Sequence, residues 1–295
     1  MKIVRTAVFP VAGIGSRFLP ATKASPKEML PLVDKPLIQY AVEEAIVAGI
    51  THMVFVTNSS KRAIEDHFDK NVELEMQLRQ QAKHDVLQLV ENIAPPGIHF
   101  TYIRQSKPLG LGHAVLCAEH VVGEEPFVVI LADDLIDPSQ PGCLSAMIDH
   151  FQQKQHSILA VQSVDWQEVH KYGIVDVIDK TANYSAIQNI IEKPALDKAP
   201  SNLASIGRYL FTPTIFTHLK AISADTHGEF QLTDAIAHLL STEQVDSYLF
   251  KGKRFDCGSK LGYLQASVEL GLRHEEIGQP FLQYLKTYLS QHHSD

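Results

Sequence analysis

From Thr6 to Asp134 the chain repeats one alternation, a short apolar run followed by an amphipathic stretch, and this rhythm restricts the fold more than any single motif. "TAVFPVA" is a continuous apolar run of buried-strand length. "PLIQYAVEEAIVAG" carries its apolar residues at helical spacing, with Pro36 in the first turn and Gly49 to close it. "HMVFVT" is strand-like again, and "SSKRAIEDHF" is helical. A long polar helical pattern runs from about Asn71 to Ile93 and stops at "APPG". "IHFTYI", "GHAVLCAEHVV" and "PFVVILADD" then give a strand, a helix and a strongly apolar strand that ends in acids. Strands apolar on both faces and joined through helices call for βαβ units and a parallel sheet covered on both sides.

After about residue 155 the rhythm changes. "SILAVQSV", "YGIVDVID", "SAIQNIIEKP" and "SIGRYLF" follow in quick succession and predict a mixed sheet with an antiparallel part. "FQLTDAIAHLL" reads as a helix and "VDSYLF" as a further strand. From Ser259 two helices are expected, "SKLGYLQASVELGLRH" and "PFLQYLKTYLSQHH". No repeat, low-complexity tract or shift in composition marks a linker. The expectation is one α/β domain over residues 1–258, with a helical appendage over 259–295 packed on it or on a partner subunit. Phe281, Leu282, Leu285 and Leu289 recur at helical spacing and suit either partner.

Composition removes several function classes. A hydrophobic fraction of 45% with 20% charged residues is that of a globular chain with a full core. A net charge of −8 argues against non-specific nucleic-acid binding, so any phosphate must meet a local cluster of donors. Three cysteines, Cys117, Cys143 and Cys257, without a C-x-x-C spacing indicate neither a disulfide framework nor a zinc site. The apolar run near the amino terminus is too short for a signal-peptide core, and no stretch approaches a transmembrane helix, so a cytoplasmic location is expected.

The chemistry-bearing residues gather where strands end. Gly13, Gly15 and Arg17 follow the first strand, at the edge where open parallel sheets bind ligands. Glycines let a backbone approach a phosphate, although G-x-G alone equally describes an ordinary turn; it is neither the dinucleotide fingerprint nor a P-loop. Lys23, Lys27 and Glu28 sit in a segment stiffened by prolines 20, 26 and 31, which holds a lysine in place. "RQSKPLGLGHA" places Gly110 and Gly112 before a helix, a second place for backbone contact with a base or phosphate, with His113 as a packing or capping residue.

"VVILADD" brings Asp133 or Asp134 to the same edge, where a carboxylate suits Mg²⁺ shared with substrate phosphates. The other acid caps the next element. "IIEKP" offers Glu192 for sugar hydroxyls and Lys193 for a phosphate. Asp256, before Cys257 and Gly258, can complete the metal site or cap a helix. Cys257 reads as a small buried residue.

Taken together, "PVAGIGSRFLPATKASPKEMLPLVDKPLIQY", "GLGHAVLCA", "YGIVDV", "IEKP", "APSNLASIGRYLF", "EFQLTDAI" and "DCGSKLGY" resemble the bacterial UTP–glucose-1-phosphate uridylyltransferases of the sugar nucleotidyltransferase group, over nearly the whole chain. The resemblance implies a Rossmann-like nucleotide-diphospho-sugar transferase fold, with a mixed, mostly parallel central sheet flanked by helices. It implies Mg²⁺ and the reaction UTP + glucose 1-phosphate ⇌ UDP-glucose + pyrophosphate. By motif, Ala12, Gly13 and Gly15 would line the nucleotide, with Arg17 and Lys27 facing its phosphates. Glu28, Gln105 and Gly110 would lie around uracil and ribose. Gly173, Glu192 and Lys193 would hold glucose 1-phosphate, and Asp133 and Asp256 the metal. Asp133 is preferred to Asp134 because it continues the strand register of the family's metal aspartate. The family also implies a homo-oligomer, a dimer or tetramer.

Three other readings compete. Thymidylyltransfer is the same chemistry on another base, but that family reads differently around "ATKASPKEMLP". A regulatory paralogue would bind nucleotide sugar and turn over poorly; such chains tend to lose the first-loop arginine, and Arg17 is present. An NAD(P)-dependent oxidoreductase would also alternate strands and helices, but the third glycine is missing and the Asp133/Asp256 pair is unexplained.

Overall fold

The computed structural model describes residues 2–140 and 142–292. Met1, Pro141 and residues 293–295, which fall within the expected spans 1–258 and 259–295, lie outside the described residues.

Among the described residues the central sheet has nine strands: β1 (Thr6–Pro10), β2 (His52–Thr57), β3 (His99–Arg104), β4 (Phe127–Ile130), β5 (Ser157–Ser163), β6 (Gly173–Val177), β7 (Tyr184–Glu192), β8 (Leu203–Phe211) and β9 (Val245–Leu249). Their order across the sheet is β3-β2-β1-β4-β8-β5-β9-β7-β6. The first four run parallel in the 3-2-1-4 order of a doubly wound sheet, whose ligand crevice opens where the order reverses, beside β1. Beyond β4 the sheet is mixed. β8 is antiparallel to β4 and β5, β9 is parallel to β5, and β7 is antiparallel to β9 and β6.

The alternation of side chains along β1 shows why its residues form a buried strand. Ala7 and Phe9 enter one core with Ile38, Val42 and Ala45 of the helix Leu37–Val47. Val8 points the other way, into a core shared with Ala114 and Val115 of the helix Leu111–Cys117 and with Leu232 and Ile236 of the helix Leu232–Leu239. A strand with apolar neighbours on both faces has no polar alternation to show, and that is how the sequence reads.

Three expectations are corrected. The segment from Asn71 to Ile93 is two helices, Val72–Gln80 and His84–Glu91, with Ala82 at φ +54 between them. Leu78 and Leu87 are their buried apolar residues; on one continuous helix they would face opposite sides, and the turn brings both inward. "GHAVLCAEHVV" likewise divides at Ala118 into Leu111–Cys117 and Glu119–Val122. The strand in "PFVVILADD" ends at Ile130. The chain turns after Leu131, and Asp134–Ile136 forms a separate antiparallel pair with Arg254–Asp256.

This small two-stranded sheet rests on a third core, in which Leu135, Phe255 and Cys257 meet Ala266 and Leu270 of the helix Lys260–Arg273. The last helix, Gly278–His292, touches that one where the Phe281 ring fills the space left by Gly271. An unanticipated helix, Cys143–Lys154, buries Leu144, Met147, Ile148 and Phe151 at helical spacing. No helix among the described residues is long and apolar enough to cross a membrane.

Candidate active site at the carboxyl edge of the sheet

β1 delivers Val11 and Ala12 buried, and Gly13 exposed, to the carboxyl edge. Asn58, just past β2, donates from Nδ2 to the Ala12 carbonyl at 2.6 Å and anchors the loop. Gly15 turns at φ +72, and a Cβ there would lie 3.2 Å from Cβ of Lys27. Glycine therefore supplies both the left-handed turn and the room for the lysine stem. Three short 3₁₀ turns follow, Ser16–Phe18, Ala21–Lys23 and Lys27–Met29, tied back by Thr22 Oγ1 donating to the Gly15 carbonyl at 2.7 Å. Gly15, Ser16, Arg17, Phe18, Lys27 and Gly258 line a cavity of about 170 Å³. A larger depression of about 730 Å³ lies at the opposite, amino-terminal edge of β1, β2 and β3, far from these residues. Size and chemistry disagree here, and chemistry decides, because only the smaller cavity gathers opposed charges at the switch point of the sheet.

Those charges meet at Gly258. Its carbonyl accepts from Arg17 Nη1 at 3.1 Å, and its N–H donates to Asp256 Oδ1 at 3.1 Å. A Cβ at this position would stand 2.9 Å from Asp133 Oδ2, 3.1 Å from Asp256 Oδ1 and 3.2 Å from Arg17 Nη1. The two carboxylates and the guanidinium thus surround one point that only glycine leaves free. Lys27 Nζ sits 2.6 Å from Asp133 Oδ2. Burial pulls the Lys27 ammonium down, but the Asp133 and Glu28 carboxylates outweigh it and its pKa is raised. Burial pushes Asp133 up, and Lys27 outweighs it, so Asp133 is held below the usual carboxylate range. Both members of the pair are therefore charged.

Asp134 faces away. It is ion-paired to Arg254 and packed against Gly207, and burial, with Asp133 and Asp256 nearby, pushes it up to about 6 despite Arg254. Two carboxylates around one point, with the remaining positions left to phosphate and water, are a donor set that fits Mg²⁺. No group of three or more His, Cys, Asp or Glu among the described residues forms a closed protein cage for a metal.

Glu28 is only 2% exposed and pairs at 2.8 Å with Lys61, itself 3% exposed. Its carboxylate belongs to this closed pair rather than to open solvent. Lys23 is exposed. Gln105, buried after β3, donates from Nε2 to the Gly110 carbonyl at 3.1 Å and lies 2.9 Å from His113 Nδ1. Gly110, at φ +92, is crossed by Phe230, whose carbonyl would be 2.9 Å from an added Cβ. Cys257 is buried with its thiol pushed up by burial, the inert residue expected.

On the other half of the sheet, Gly173 opens β6 directly opposite Glu192 on β7. Thr233, with a buried and unpartnered hydroxyl, packs over that glycine. Lys193 is exposed at φ +42, with Nζ 3.0 Å from Glu192 Oε1. Four residues around the site take no role from the sequence: Lys61, Tyr172, Arg208 and Arg254, although the motifs "YGIVDV" and "APSNLASIGRYLF" contain two of them. Arg208, buried on β8, binds Glu44 through Nε and Nη2 and donates from Nη1 to the Leu131 carbonyl at 3.1 Å, which fixes the turn that aims Asp133. A buried arginine with such partners is visible only once strands distant in sequence are paired.

The nucleotidyl transferase family model matches residues 7–271. A UTP–glucose-1-phosphate uridylyltransferase of Bacillus subtilis is 47% identical over 294 residues, 99% of each chain. A UTP-bound UGPase from Acinetobacter baumannii superposes with a TM-score of 0.88 at 45% identity, over 96% of this chain and 99% of that one. A UDP-glucose pyrophosphorylase complexed with UDP-glucose gives 0.84 at 44% identity, over 92% and 100%. The chain whose glycine loop, paired aspartates and strand order are described above belongs to the nucleotidyl transferase family, among its UTP–glucose-1-phosphate uridylyltransferases.

Proposed function

We propose that the protein transfers UMP from UTP to glucose 1-phosphate, giving UDP-glucose and pyrophosphate. The observation that carries this reading is the convergence of Asp133, Asp256 and Arg17 on Gly258, beside Lys27, in a chain of this family. An anionic oxygen of glucose 1-phosphate attacks the α-phosphorus of UTP. The bond from that phosphorus to the bridging oxygen of the β-phosphate breaks in line, and pyrophosphate leaves with the electron pair. The nucleophile is already ionised, so no general base is needed, and catalysis is positioning and charge stabilisation.

Ala12, Gly13 and Gly15 bring the backbone to the nucleotide, and Gln105 and Gly110 face uracil and ribose. Glu28 contributes as a wall braced by Lys61. Arg17 and Lys27 neutralise charge on the leaving pyrophosphate. Gly173 and Glu192 hold the sugar, and Lys193 steers the attacking phosphate. Asp133 and Asp256 would hold Mg²⁺, which supplies positive charge to the phosphates when bound. The exposed Tyr284, Tyr288 and Leu289 on the last helix support assembly into a homo-oligomer, dimer or tetramer.

The deciding experiment measures pyrophosphate release with Mg²⁺ and glucose 1-phosphate, offering UTP, dTTP, ATP, CTP and GTP separately. Strong release with UTP, abolished by EDTA, is expected. Release mainly with dTTP would assign the thymidylyltransferase activity instead. Silence in every case, with UDP-glucose still bound, would mark a regulatory paralogue.

A further inference from the structure

Tyr172 stands where the two halves of the site touch. Its hydroxyl lies 3.1 Å from Asp256 Oδ2 and 3.3 Å from Arg254 Nη2, and its ring lies 5.1 Å from the Arg254 guanidinium. Arginine can only donate, so it takes a lone pair of the hydroxyl and leaves the single O–H proton for Asp256. The other oxygen of Asp256 accepts the Gly258 N–H. Both oxygens are thus oriented, one by the chain's own turn and one by Tyr172.

The backbone of the same residue is fixed from the acceptor side. Its carbonyl accepts the Lys193 N–H at 2.9 Å, and it directly precedes Gly173, paired with Glu192. Resting on the reading that Asp256 is a metal carboxylate, we propose that Tyr172 is a positioning residue: it fixes the Asp256 carboxylate for a divalent cation from the strand pair that holds the acceptor phosphate. Partners that orient a metal ligand from behind are typically worth about 10–100-fold in metal affinity.

The test binds Mn²⁺ to the enzyme with UTP and without glucose 1-phosphate, so that nothing turns over, and reads bound metal by electron paramagnetic resonance. Tyr172→Phe keeps the ring over Arg254 and the backbone bond to Lys193, and loses only the hydroxyl. Its Mn²⁺ dissociation constant should rise about 10–100-fold with an unchanged melting temperature. Turnover lost at limiting Mg²⁺ should return as Mg²⁺ is raised, whereas a loss from general loosening would not respond to metal. Asp256→Asn is the control. If it binds Mn²⁺ like the wild type, the metal reading falls and the inference falls with it. If it loses Mn²⁺ while Tyr172→Phe does not, the inference alone is overturned.

Discussion

Lys27 and Glu28 are neighbours in one short 3₁₀ turn, yet they send their charges into opposite environments. Lys27 reaches Asp133 in the open site, where both side chains are about a quarter exposed, at 25% and 26%. Glu28 turns inward to Lys61, where both are sealed from water. Burial weighs on both members of the open pair, but their opposite charges outweigh it, and the quarter of each side chain left exposed keeps the pair within reach of a substrate phosphate. In the sealed pair burial dominates, and it raises the Glu28 pKa even with Lys27 and Lys61 beside it. One turn of backbone therefore carries a partly exposed charge and a sealed one, and environment separates the two.

The largest effect that would break this contrast is on the sealed side. Lys61→Met should strand the Glu28 carboxylate and cost about 3–5 kcal/mol of stability in urea unfolding. The double variant Lys61→Met with Glu28→Met should recover most of that loss, since well-packed apolar pairs replace buried ion pairs at little cost. A single variant as stable as wild type would mean that the pair is not sealed. On the open side the order reverses. Lys27→Ala should lose about 10²–10³ in turnover, roughly 3–4 kcal/mol of transition-state stabilisation, by analogy with one preorganised donor. Its unfolding free energy should fall far less than that of Lys61→Met, by about 1 kcal/mol, because this partly exposed pair is screened by solvent. Near-normal turnover in Lys27→Ala would remove it from the mechanism.

The smallest effect concerns pH. Asp133 is depressed from an ordinary value of 3.8, so the stability it contributes is present above that value and is lost as pH falls through its folded pKa. Lys27 is raised from 10.5, so its contribution is present below 10.5 and is lost as pH rises through its folded pKa. The pair thus stabilises across the neutral range, by about 1 kcal/mol at most given its exposure. In a series of urea midpoints against pH, Lys27→Met should flatten both limbs. Limbs as steep as in wild type would show that other groups dominate them.

The two halves of the site were unequally legible in the sequence. Most of the residues proposed for the nucleotide lie on one contiguous stretch, Ala12 to Glu28, whose glycines, prolines and charges suit a stiff anion-facing loop, while Gln105 and Gly110 come from a second segment. Asp133 and Asp256, the pair proposed for the metal, are far apart in sequence and are brought together where Asp134–Ile136 pairs with Arg254–Asp256. Adjacent acids are indistinguishable by residue type. Asp133 and Asp134 acquire different roles because Lys27 meets one and Arg254 buries the other. The single long helix expected from Asn71 to Ile93 failed for a related reason: a polar pattern shows helical propensity, but where it breaks depends on what Leu78 and Leu87 must pack against.

What the sequence determined by itself was local and periodic: most of the strands and helices, the parallel character of β3-β2-β1-β4, the glycine loop, and the presence of acids near strand ends. Periodicity and turn chemistry act within a few residues, so they can be read along the chain. What only the tertiary structure decided was which charges meet. Lys61 under Glu28, Arg208 behind the Leu131 turn, and Tyr172 and Arg254 around the aspartates are all contacts between segments far apart in sequence. Burial sets the cost of each charge and the identity of its partner offsets that cost, and both are properties of the assembled sheet rather than of any one stretch.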